Sequence, residues 1–385
     1  MKIKIYRGTH QIGGCVTEIK SEKSRILIDF GMELEDNPSS LLIDGVNSGK
    51  SSCNGIFFTH YHGDHIGMLN EINKDIPLYM GNLSKELLLI QNQRSPLFDD
   101  ERLNGVISFS AGEKIKIKDI VVTPFMVDHS AFDAYMFLIE VDGTTILHTG
   151  DFRTHGYRGK GLDYVIENYL PKIDCLICEG TTINRDNSVS VSEHELSLKV
   201  SEVFRSNKYV FVVSASTNID RIAGFCSAVP KGKYCICDSY QKSVLDKVKE
   251  HSGDKSKLYS FDKMLVYGSN LEEKLVKNGF VMFVRAGSTY FKDIMNRYKE
   301  YNPLVVYSMW KGYLEQDRVK EFVEEFNMVT LHTSGHADTT TLSSVIKKIN
   351  PKHIIPIHTE VPEEYEKISN GNNVVVLNDC EEFEL

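Results

Sequence analysis

The chain has 385 residues, 41% of them hydrophobic and 25% charged, with a formal net charge of −9, which is the composition of an ordinary globular protein. Its length predicts two domains or one large layered unit. Membrane-spanning proteins are excluded because no segment approaches ~18 consecutive apolar residues, and the alternating start, Met1–Tyr6, predicts a strand and not a signal peptide. Eight scattered cysteines exclude a disulfide framework, so we expect a cytoplasmic protein.

Short strands with tight turns are predicted through the first 180 residues. In chain order they are Lys2–Tyr6, Cys15–Ile19, Arg25–Asp29, Gly55–Phe58, Pro77–Met80, Val121–Met126, Tyr135–Val141, Thr144–His148 and Cys175–Cys178. A helix is predicted from Ile66 to Ile72, where apolar residues recur at three- to four-residue spacing. Nearly every side chain of chemical interest follows one of these strands, as expected where the loops of a domain gather.

The loop after the fourth strand carries four side chains of the metal-binding type, in the sequence His60-Tyr61-His62-Gly63-Asp64-His65. In an extended chain His60 and His62 point the same way and can reach one ion. Asp64 and His65 follow the turn and suit a second ion. The alternative is a pair of strand-end histidines with an N-cap aspartate. It is disfavoured because buried ionisable clusters are costly unless they are paired or bound to metal.

Later strands are followed by further candidate ligands. His129 comes after one strand, Asp151 after another, and His358 after the apolar run His353–Ile357. Taken singly, each would be read as a hydrogen-bonded histidine or a turn aspartate. Together with the first loop they give seven ligands for two ions, and Asp151 suits a bridging position because a carboxylate carries two oxygens. Glu179 is read as a ligand, an orienting group or a cap.

From about residue 190 to 330 helices and strands alternate, which is typical of βαβ units in a parallel sheet. The predicted elements are helix Glu193–Phe204, strand Tyr209–Val213, helix Asp220–Ala228, strand Tyr234–Cys237, helix Lys242–Glu250 and strands Phe280–Val284 and Pro303–Tyr307. Residues 181–330 carry 22 Lys and Arg against 19 Asp and Glu, a balance of +3, while the rest carries 22 against 34. We predict that this region is an insertion, because the candidate ligand His358 lies beyond it. The predicted segments are 1–185 and 329–385, which form one domain, and 186–328, the inserted domain.

Two turns of small polar residues precede predicted helices. Ser214–Arg221 places hydroxyl and amide groups before a helix with an arginine one turn in, and Leu331–Asp338 runs into a helix that begins near Thr339. Backbone N–H groups at such turns suit an anion, and His336 could donate to a phosphate or protonate a leaving group. Simple capping by Asn218 and a surface position for His336 are the alternatives.

The motifs, in this order, resemble those of metallo-β-lactamase-fold hydrolases of the β-CASP branch, nucleases that include ribonuclease J and the endonuclease subunit of pre-mRNA 3′-end processing. The residues that carry the resemblance are Asp29 in Ile26–Gly31, the His60 to His65 loop, His129, Asp151 in His148–Arg153, Glu179, His336 and His358. The resemblance covers the whole chain. It implies an α/β fold, an αββα metallo-β-lactamase sandwich with an inserted β-CASP α/β domain whose parallel sheet is flanked by helices.

The resemblance also implies roles for the residues. One ion would be held by His60, His62, His129 and Asp151, and the other by Asp64, His65, Asp151 and His358. Both ions are expected to be Zn²⁺, with Mn²⁺ or Fe²⁺ as alternatives, and Asp29 would orient a ligand. The catalytic residues would be Asp64, His336 and Glu179. The two polar turns supply the predicted substrate contacts, Ser216, Asn218, Arg221, Ser334 and His336.

We therefore expect a dinuclear, zinc-dependent phosphodiester hydrolase, a ribonuclease that acts on RNA in the cleft between its two domains, with a homodimer left open. Ribonuclease J-like proteins have a hydroxyl residue at Asp338 and glycine at Thr359, and they carry a C-terminal domain that we expect this chain to lack. Trp310 and Tyr313 would either stack a base or pack in the core. The alternatives are a hydrolase of a small ester or phosphodiester with the insertion as a lid, and a non-catalytic RNA-binding relative, against which the complete metal motifs argue.

Overall fold

The computed structural model describes residues 1–34, 39–185, 190–252 and 256–385. The chain divides into two units. Unit 1 comprises Met1–Thr154, Arg158–Val189 and Gly335–Leu385, and unit 2 comprises His155–Tyr157 and Ser190–Ser334. The chain therefore leaves unit 1, builds unit 2 and returns. No helix among the described residues is long and apolar enough to cross a membrane.

The first part of unit 1 contains eleven strands and four helices among its described residues. The strands are β1 (Lys2–Arg7), β2 (Val16–Lys20), β3 (Arg25–Ile28), β4 (Gly55–Phe57), β5 (Leu78–Gly81), β6 (Ile107–Phe109), β7 (Ile115–Ile117), β8 (Ile120–Val127), β9 (Ala134–Val141), β10 (Thr144–His148) and β11 (Cys175–Glu179). The helices are α1 (Gly63–Ile66), α2 (Asn82–Arg94), α3 (Asp100–Asn104) and α4 (Lys160–Tyr169). A 3₁₀ turn covers Leu69–Glu71.

Unit 2 has six strands among its described residues, in a single parallel sheet. The strands are β12 (Tyr209–Val213), β13 (Tyr234–Cys237), β14 (Met264–Val266), β15 (Phe280–Val284), β16 (Leu304–Tyr307) and β17 (Asn327–Thr330), in the order β14-β13-β15-β12-β16-β17. The helices are α5 (Glu193–Ser206), α6 (Ile219–Ala228), α7 (Ser239–Ser252), α8 (Glu272–Asn278), α9 (Thr289–Arg297) and α10 (Asp317–Val323). Strand β12 is buried throughout, as expected for a parallel strand covered on both faces.

The returning segment adds α11 (Thr339–Ile349), β18 (His353–Ile357), β19 (Asn373–Val374) and β20 (Glu382–Glu384) to unit 1. It completes two seven-stranded sheets, with strand orders β20-β1-β2-β3-β4-β5-β6 and β19-β18-β11-β10-β9-β8-β7. β20 pairs with β1, so the end of the chain lies beside its beginning.

Strand β9 shows how the two sheets form a sandwich. Its side chains alternate between two cores, as the two-residue period of a strand requires. Phe137 and Ile139 pack in a core that also contains Ile5 and Phe57 of the other sheet. Leu138 packs in a second core with side chains of α4 and α11. The predicted αββα sandwich is confirmed.

One local prediction around the first loop is wrong. The helix expected from Ile66 to Ile72 is instead the short helix α1, Gly63–Ile66, followed by the 3₁₀ turn at Leu69–Glu71. Gly67 is the C-cap of α1, and only glycine fits there, because a Cβ would lie 2.4 Å from the Gly63 carbonyl oxygen and 2.7 Å from Met32 Cβ. The shift places Asp64 and His65 inside a helical turn.

Candidate metal centre

The first donor cluster consists of His60, His62, His129 and Asp151. His62 Nδ1 lies 3.0 Å from His60 Nε2 and 3.3 Å from His129 Nε2. Asp151 Oδ2 lies 3.9 Å from His60 Nε2 and 3.9 Å from His129 Nε2. Four donors that share one tetrahedral Zn²⁺ at its usual bond lengths are spaced roughly 3.3 Å apart. The cluster therefore has the spacing of a metal site.

The second donor cluster consists of Asp64, His65, Asp151 and His358. His65 Nε2 lies 3.1 Å from Asp151 Oδ2 and 3.7 Å from Asp64 Oδ2. His358 Nε2 lies 3.2 Å from Asp64 Oδ2 and 3.7 Å from Asp151 Oδ2. The buried Nε2 of His65 makes no hydrogen bond of regular geometry, although Asp151 Oδ2 lies 3.1 Å away, and such an atom is costly unless a ligand uses it. These residues therefore fit a divalent cation.

Asp151 Oδ2 is the atom that the two clusters share. Its position depends on Gly150, which precedes it after β10 and adopts φ +53°. A Cβ at Gly150 would lie 2.8 Å from the Tyr135 carbonyl oxygen and 3.0 Å from Thr59 Cβ. Only glycine meets both the backbone conformation and the close approach, so this turn aims the Asp151 carboxylate at both clusters.

In four of the histidines, the ring nitrogen that faces away from the centre makes a hydrogen bond. The pairs are His60 Nδ1 with Thr59 Oγ1 (3.0 Å), His65 Nδ1 with Asp29 Oδ2 (2.7 Å), His129 Nδ1 with the Gly335 carbonyl oxygen (2.7 Å) and His358 Nδ1 with Thr181 Oγ1 (2.7 Å). Partners of this kind fix the ring and its tautomer and leave Nε2 for a metal ion. The arrangement in all four supports the metal interpretation.

Asp29 is completely buried beside the second donor cluster. Its carboxylate accepts the backbone N–H of Thr59 at 2.7 Å, the Thr59 hydroxyl at 2.8 Å and the Nδ1–H of His65. Burial raises the pKa of Asp29, against the opposing effects of His65 and Thr59. Its φ of +62° lies in the left-handed region, which aspartate and asparagine tolerate better than most residues.

Burial determines the protonation of the first donor cluster. It lowers the pKa of His62 to about 4, and it lowers the pKa values of His60 and His129 further below their ordinary range. The neighbouring histidines add to this effect at His60. The three rings are therefore neutral near pH 7, which is the form that binds a metal ion.

His336 lies beside the second donor cluster, with its side chain 21% exposed. Its Nδ1 is 3.2 Å from Glu179 Oε1, 3.1 Å from Thr181 Oγ1 and 3.7 Å from Asp151 Oδ2. Burial lowers the pKa of His336, but Glu179 and Asp151 outweigh it and raise the pKa above its ordinary value. His336, Glu179, Asp151 and His358 also form a donor set of their own.

Glu179 is fully buried at the end of β11. Its carboxylate oxygens accept the backbone N–H groups of Phe152 and Thr181, each at 3.1 Å. These bonds hold the carboxylate against His336 Nδ1. Glu179 therefore contacts His336, and this contact fits the orienting role, one of the three interpretations that the sequence left open.

Two threonines that contact the histidines were missing from the predicted site. Thr59 contacts both Asp29 and His60. Thr181 Oγ1 lies between the Nδ1 atoms of His336 and His358. Each threonine lies within two residues of a predicted site residue, so a hydroxyl next to such a residue is the signal that could have identified them.

The departures from the ribonuclease J pattern have local structural roles. Asp338 is the N-cap of α11, and its side chain accepts the backbone N–H of Thr341 at 2.8 Å, a role that a hydroxyl residue also performs. Thr359 is buried against Gly180, where a Cβ would lie 3.0 Å from Thr359 Cβ and 2.8 Å from the Tyr365 ring. The glycine at 180 makes room for the threonine.

Arg221, predicted to bind substrate, is instead a buried structural residue of unit 2. Its side chain is fully buried and pairs with Glu193 through Nε at 2.8 Å and Nη2 at 2.9 Å. Nη1 donates to Ser308 Oγ at 2.6 Å, and Nη2 also donates to the Thr333 carbonyl. All of its N–H groups have partners inside unit 2, so none is left to bind a phosphate. The substrate role predicted for Arg221 is wrong.

The neighbouring predicted contacts also have local partners. Asn218 is the N-cap of α6, and its side chain accepts the backbone N–H of Arg221. Ser216 is buried, and its carbonyl accepts from Gln241 Nε2 at 2.8 Å. Ser334 is half-buried, and its carbonyl accepts from His155 Nε2 at 2.8 Å. Capping, the alternative weighed for Asn218, is what the structure contains.

Comparison with known proteins gives two family matches. A β-lactamase superfamily domain matches residues 24–211, and a Zn-dependent metallo-hydrolase RNA specificity domain matches residues 325–366. A protein of unknown function from Enterococcus faecalis V583 has a solved structure that superposes with a TM-score of 0.77 at 20% sequence identity, covering 100% of this chain and 99% of that one. This structural similarity shows the fold.

Curated relatives match along most of the chain. Ribonuclease J of Helicobacter pylori is 25% identical over 401 residues, which cover 94% of this chain and 56% of that protein. The probable RNase MJ4 of Methanocaldococcus jannaschii is 26% identical over 422 residues, which cover 92% of this chain and 92% of that protein. The chain thus spans little more than half the length of the H. pylori protein. It belongs to the metallo-β-lactamase superfamily, as a β-CASP, ribonuclease J-like protein with a divalent-metal site.

Proposed function

We propose that the chain is a dinuclear, zinc-dependent phosphodiester hydrolase that cleaves RNA. The observation that carries the proposal is the position of Asp151 Oδ2, which lies within 3.9 Å of ring nitrogens in both donor clusters. An atom so placed suits a carboxylate that serves two ions. When bound, such ions supply a water of lowered pKa and polarise a phosphoryl oxygen. Mn²⁺ and Fe²⁺ are the alternative metals.

His336 is the residue to which we assign proton transfer. The nearby Glu179 and Asp151 carboxylates raise its pKa and so favour the protonated ring, and it is more exposed than the buried donors beside it. Nδ1 faces Glu179, so the Nε2 proton is the one given to the leaving oxygen as the P–O bond breaks. A positioned general acid contributes ~10²–10⁴ in rate. Glu179 acts by holding the ring in place and by favouring its protonated form.

RNA as the substrate is supported by the relatives and by unit 2. Trp310 and Tyr313 follow β16 at the carboxyl edge of the parallel sheet, where open α/β sheets bind ligands. Their side chains are 51% and 38% exposed and lie perpendicular to each other at 5.4 Å, so core packing is not their role. Stacking of a base on an aromatic side chain contributes ~1–3 kcal/mol. We assign this pair to an unpaired base of the RNA.

The substrate proposal is tested with the zinc-loaded protein and four substrates: 5′-monophosphorylated RNA, 5′-triphosphorylated RNA, single-stranded DNA and bis-p-nitrophenyl phosphate. We expect RNA cleavage, with an affinity that falls steeply as salt is added, because phosphate contacts release counterions. Rapid hydrolysis of the small diester, independent of salt and without RNA cleavage, would favour the small-molecule alternative.

Binding can be followed separately from cleavage, because Trp310 is the only tryptophan of the chain. Single-stranded RNA should quench its fluorescence, and duplex RNA, whose bases are already stacked, should not. Tyr301, another exposed tyrosine of unit 2, provides the control, since Tyr301→Ala should leave the quenching unchanged while Tyr313→Ala weakens RNA binding. Equal quenching by both RNAs would contradict base stacking.

A cytoplasmic location belongs to the same proposal. All eight cysteines are free thiols, and free thiols are typical of reducing compartments. The homodimer left open by the sequence stays a prediction, and sedimentation of the zinc-loaded protein would test it.

A further inference from the structure

Cys15 forms a donor set with two histidines of the second donor cluster. Its Sγ and one ring nitrogen each of His65 and His358 lie within 4.8 Å of one another, and all three side chains are buried. Cys15 lies on the segment between β1 and β2 and is 2% exposed. No other cysteine belongs to a donor set among the described residues.

The backbone holds the Cys15 thiol against the cluster. The Cys15 N–H donates to the Asp64 carbonyl oxygen at 3.0 Å, and its carbonyl accepts the Gly31 N–H at 3.0 Å. Gly8 lies against the sulfur, since a Cβ there would be 3.3 Å from Cys15 Sγ, and the Gly8 carbonyl accepts the His358 N–H at 2.7 Å. The position of the thiol is thus tied to Asp64 and His358.

A second observation, on His65, indicates a ligand at this place. His65 Nε2 is buried and makes no hydrogen bond of regular geometry. Its neighbours are Asp151 Oδ2 at 3.1 Å and Asp64 Oδ2 at 3.7 Å, both of the same cluster, while Asp29 holds Nδ1. Two ring nitrogens and a sulfur within 4.8 Å of one another in a buried site suit a soft or borderline cation. A buried cysteine that served only as a small hydrophobe would not require this neighbour.

We propose that Cys15 is an additional ligand of the ion at the second donor cluster and that it gives this site a preference for zinc over manganese. On binding, the S–H bond breaks, the proton leaves to solvent, and the sulfur electron pair forms the bond to the ion. Thiolates favour Zn²⁺, whereas oxygen ligands suit Mn²⁺. The inference rests on the proposed metal centre and not on the ribonuclease activity.

Cobalt substitution gives a direct readout. The protein is stripped with a chelator and reloaded with two equivalents of Co²⁺, and its near-ultraviolet absorption is recorded. We expect a thiolate-to-cobalt charge-transfer band that disappears in Cys15→Ser. Cys53→Ser is the matched control, because Cys53 is also a buried thiol of unit 1, and it donates to the Gly55 carbonyl instead. That variant should keep the band.

The outcomes separate this proposal from the proposed function. Uptake of two Co²⁺ ions without a thiolate band in the unmodified protein would overturn the role of Cys15 and leave the metal centre intact, whether or not Cys15→Ser folds. Failure to bind Co²⁺ at all would overturn both. In competition between Zn²⁺ and Mn²⁺, Cys15→Ser should lower the preference for zinc by about tenfold or more, and an unchanged preference would refute the selectivity.

Discussion

Replacement of Asp29 by asparagine tests how the second donor cluster is oriented. Asparagine has nearly the same size and also tolerates the left-handed φ of +62° at this position, so the backbone should stay as it is. The change removes the negative charge that faces His65 Nδ1 at 2.7 Å. It leaves one amide oxygen where the carboxylate accepts three hydrogen bonds, two from Thr59 and one from His65.

The expected loss falls mainly on one ion. Removing a group that hydrogen-bonds a metal-binding histidine costs ~10–100-fold in metal affinity, which corresponds to about 1.4–2.7 kcal/mol. Asp29 contacts His65 of the second donor cluster directly and reaches His60 of the first only through Thr59. Asp29→Asn should therefore weaken the binding of the second ion by this amount and the binding of the first ion much less.

Titration of the stripped protein with Zn²⁺ against a chromophoric chelator measures the two affinities. Asp133→Asn is the matched control, because Asp133 is also buried in unit 1. Its carboxylate accepts the Ser84 N–H and the Tyr135 hydroxyl, each at 2.8 Å, and belongs to no donor set formed by the described residues. Equal affinities for both ions in Asp29→Asn and the unmodified protein would refute the orienting role. Equal losses of metal affinity in Asp29→Asn and Asp133→Asn would show that the effect comes from a general loss of stability.

Three further variants test the remaining assignments. Asp151→Ala should lose most of both ions by elemental analysis, since a zinc site contributes ~10–16 kcal/mol through about four ligands, so that one lost ligand costs ~3 kcal/mol at each ion. His336→Ala should keep both ions and lose ~10²–10⁴ of the phosphodiesterase rate, and loss of an ion would identify His336 as a ligand. Arg221→Met should lower the free energy of unfolding in urea by ~3–5 kcal/mol, because it leaves Glu193 buried and unpaired. An unchanged stability with lost RNA affinity would restore the substrate role of Arg221.

The donors of the metal centre were predictable because they are local in sequence or follow recognisable strands. Strand period two indicated that His60 and His62 share a side, and in the structure His60 Nε2 and His62 Nδ1 are 3.0 Å apart. In unit 2, the predicted strands Tyr209–Val213, Tyr234–Cys237 and Phe280–Val284 have the bounds observed. Buried parallel strands are continuous apolar runs, and this makes their limits clear.

The groups that orient the donors were not predictable in the same way. The Gly335 carbonyl that accepts from His129 is 206 residues away in sequence, and Thr181 is 177 residues from His358. A backbone carbonyl leaves no sequence signal, and a threonine hydroxyl has many alternative partners. The predicted helix at Ile66–Ile72 failed because apolar spacing indicates which side chains are buried but does not show where a helix ends, here at the C-cap Gly67.

Arg221 shows why a correct local pattern can support the wrong function. A strand followed by a polar turn, an N-cap asparagine and an arginine one turn later is compatible with an anion site and with a buried ion pair. The choice depends on Glu193, 28 residues earlier in the chain, whose fully buried carboxylate requires a cation beside it. Arg221 meets that requirement and is thereby withdrawn from solvent. The RNA contacts that we propose for unit 2 therefore involve side chains that remain exposed, and among these Trp310 and Tyr313 have the chemistry to bind a base.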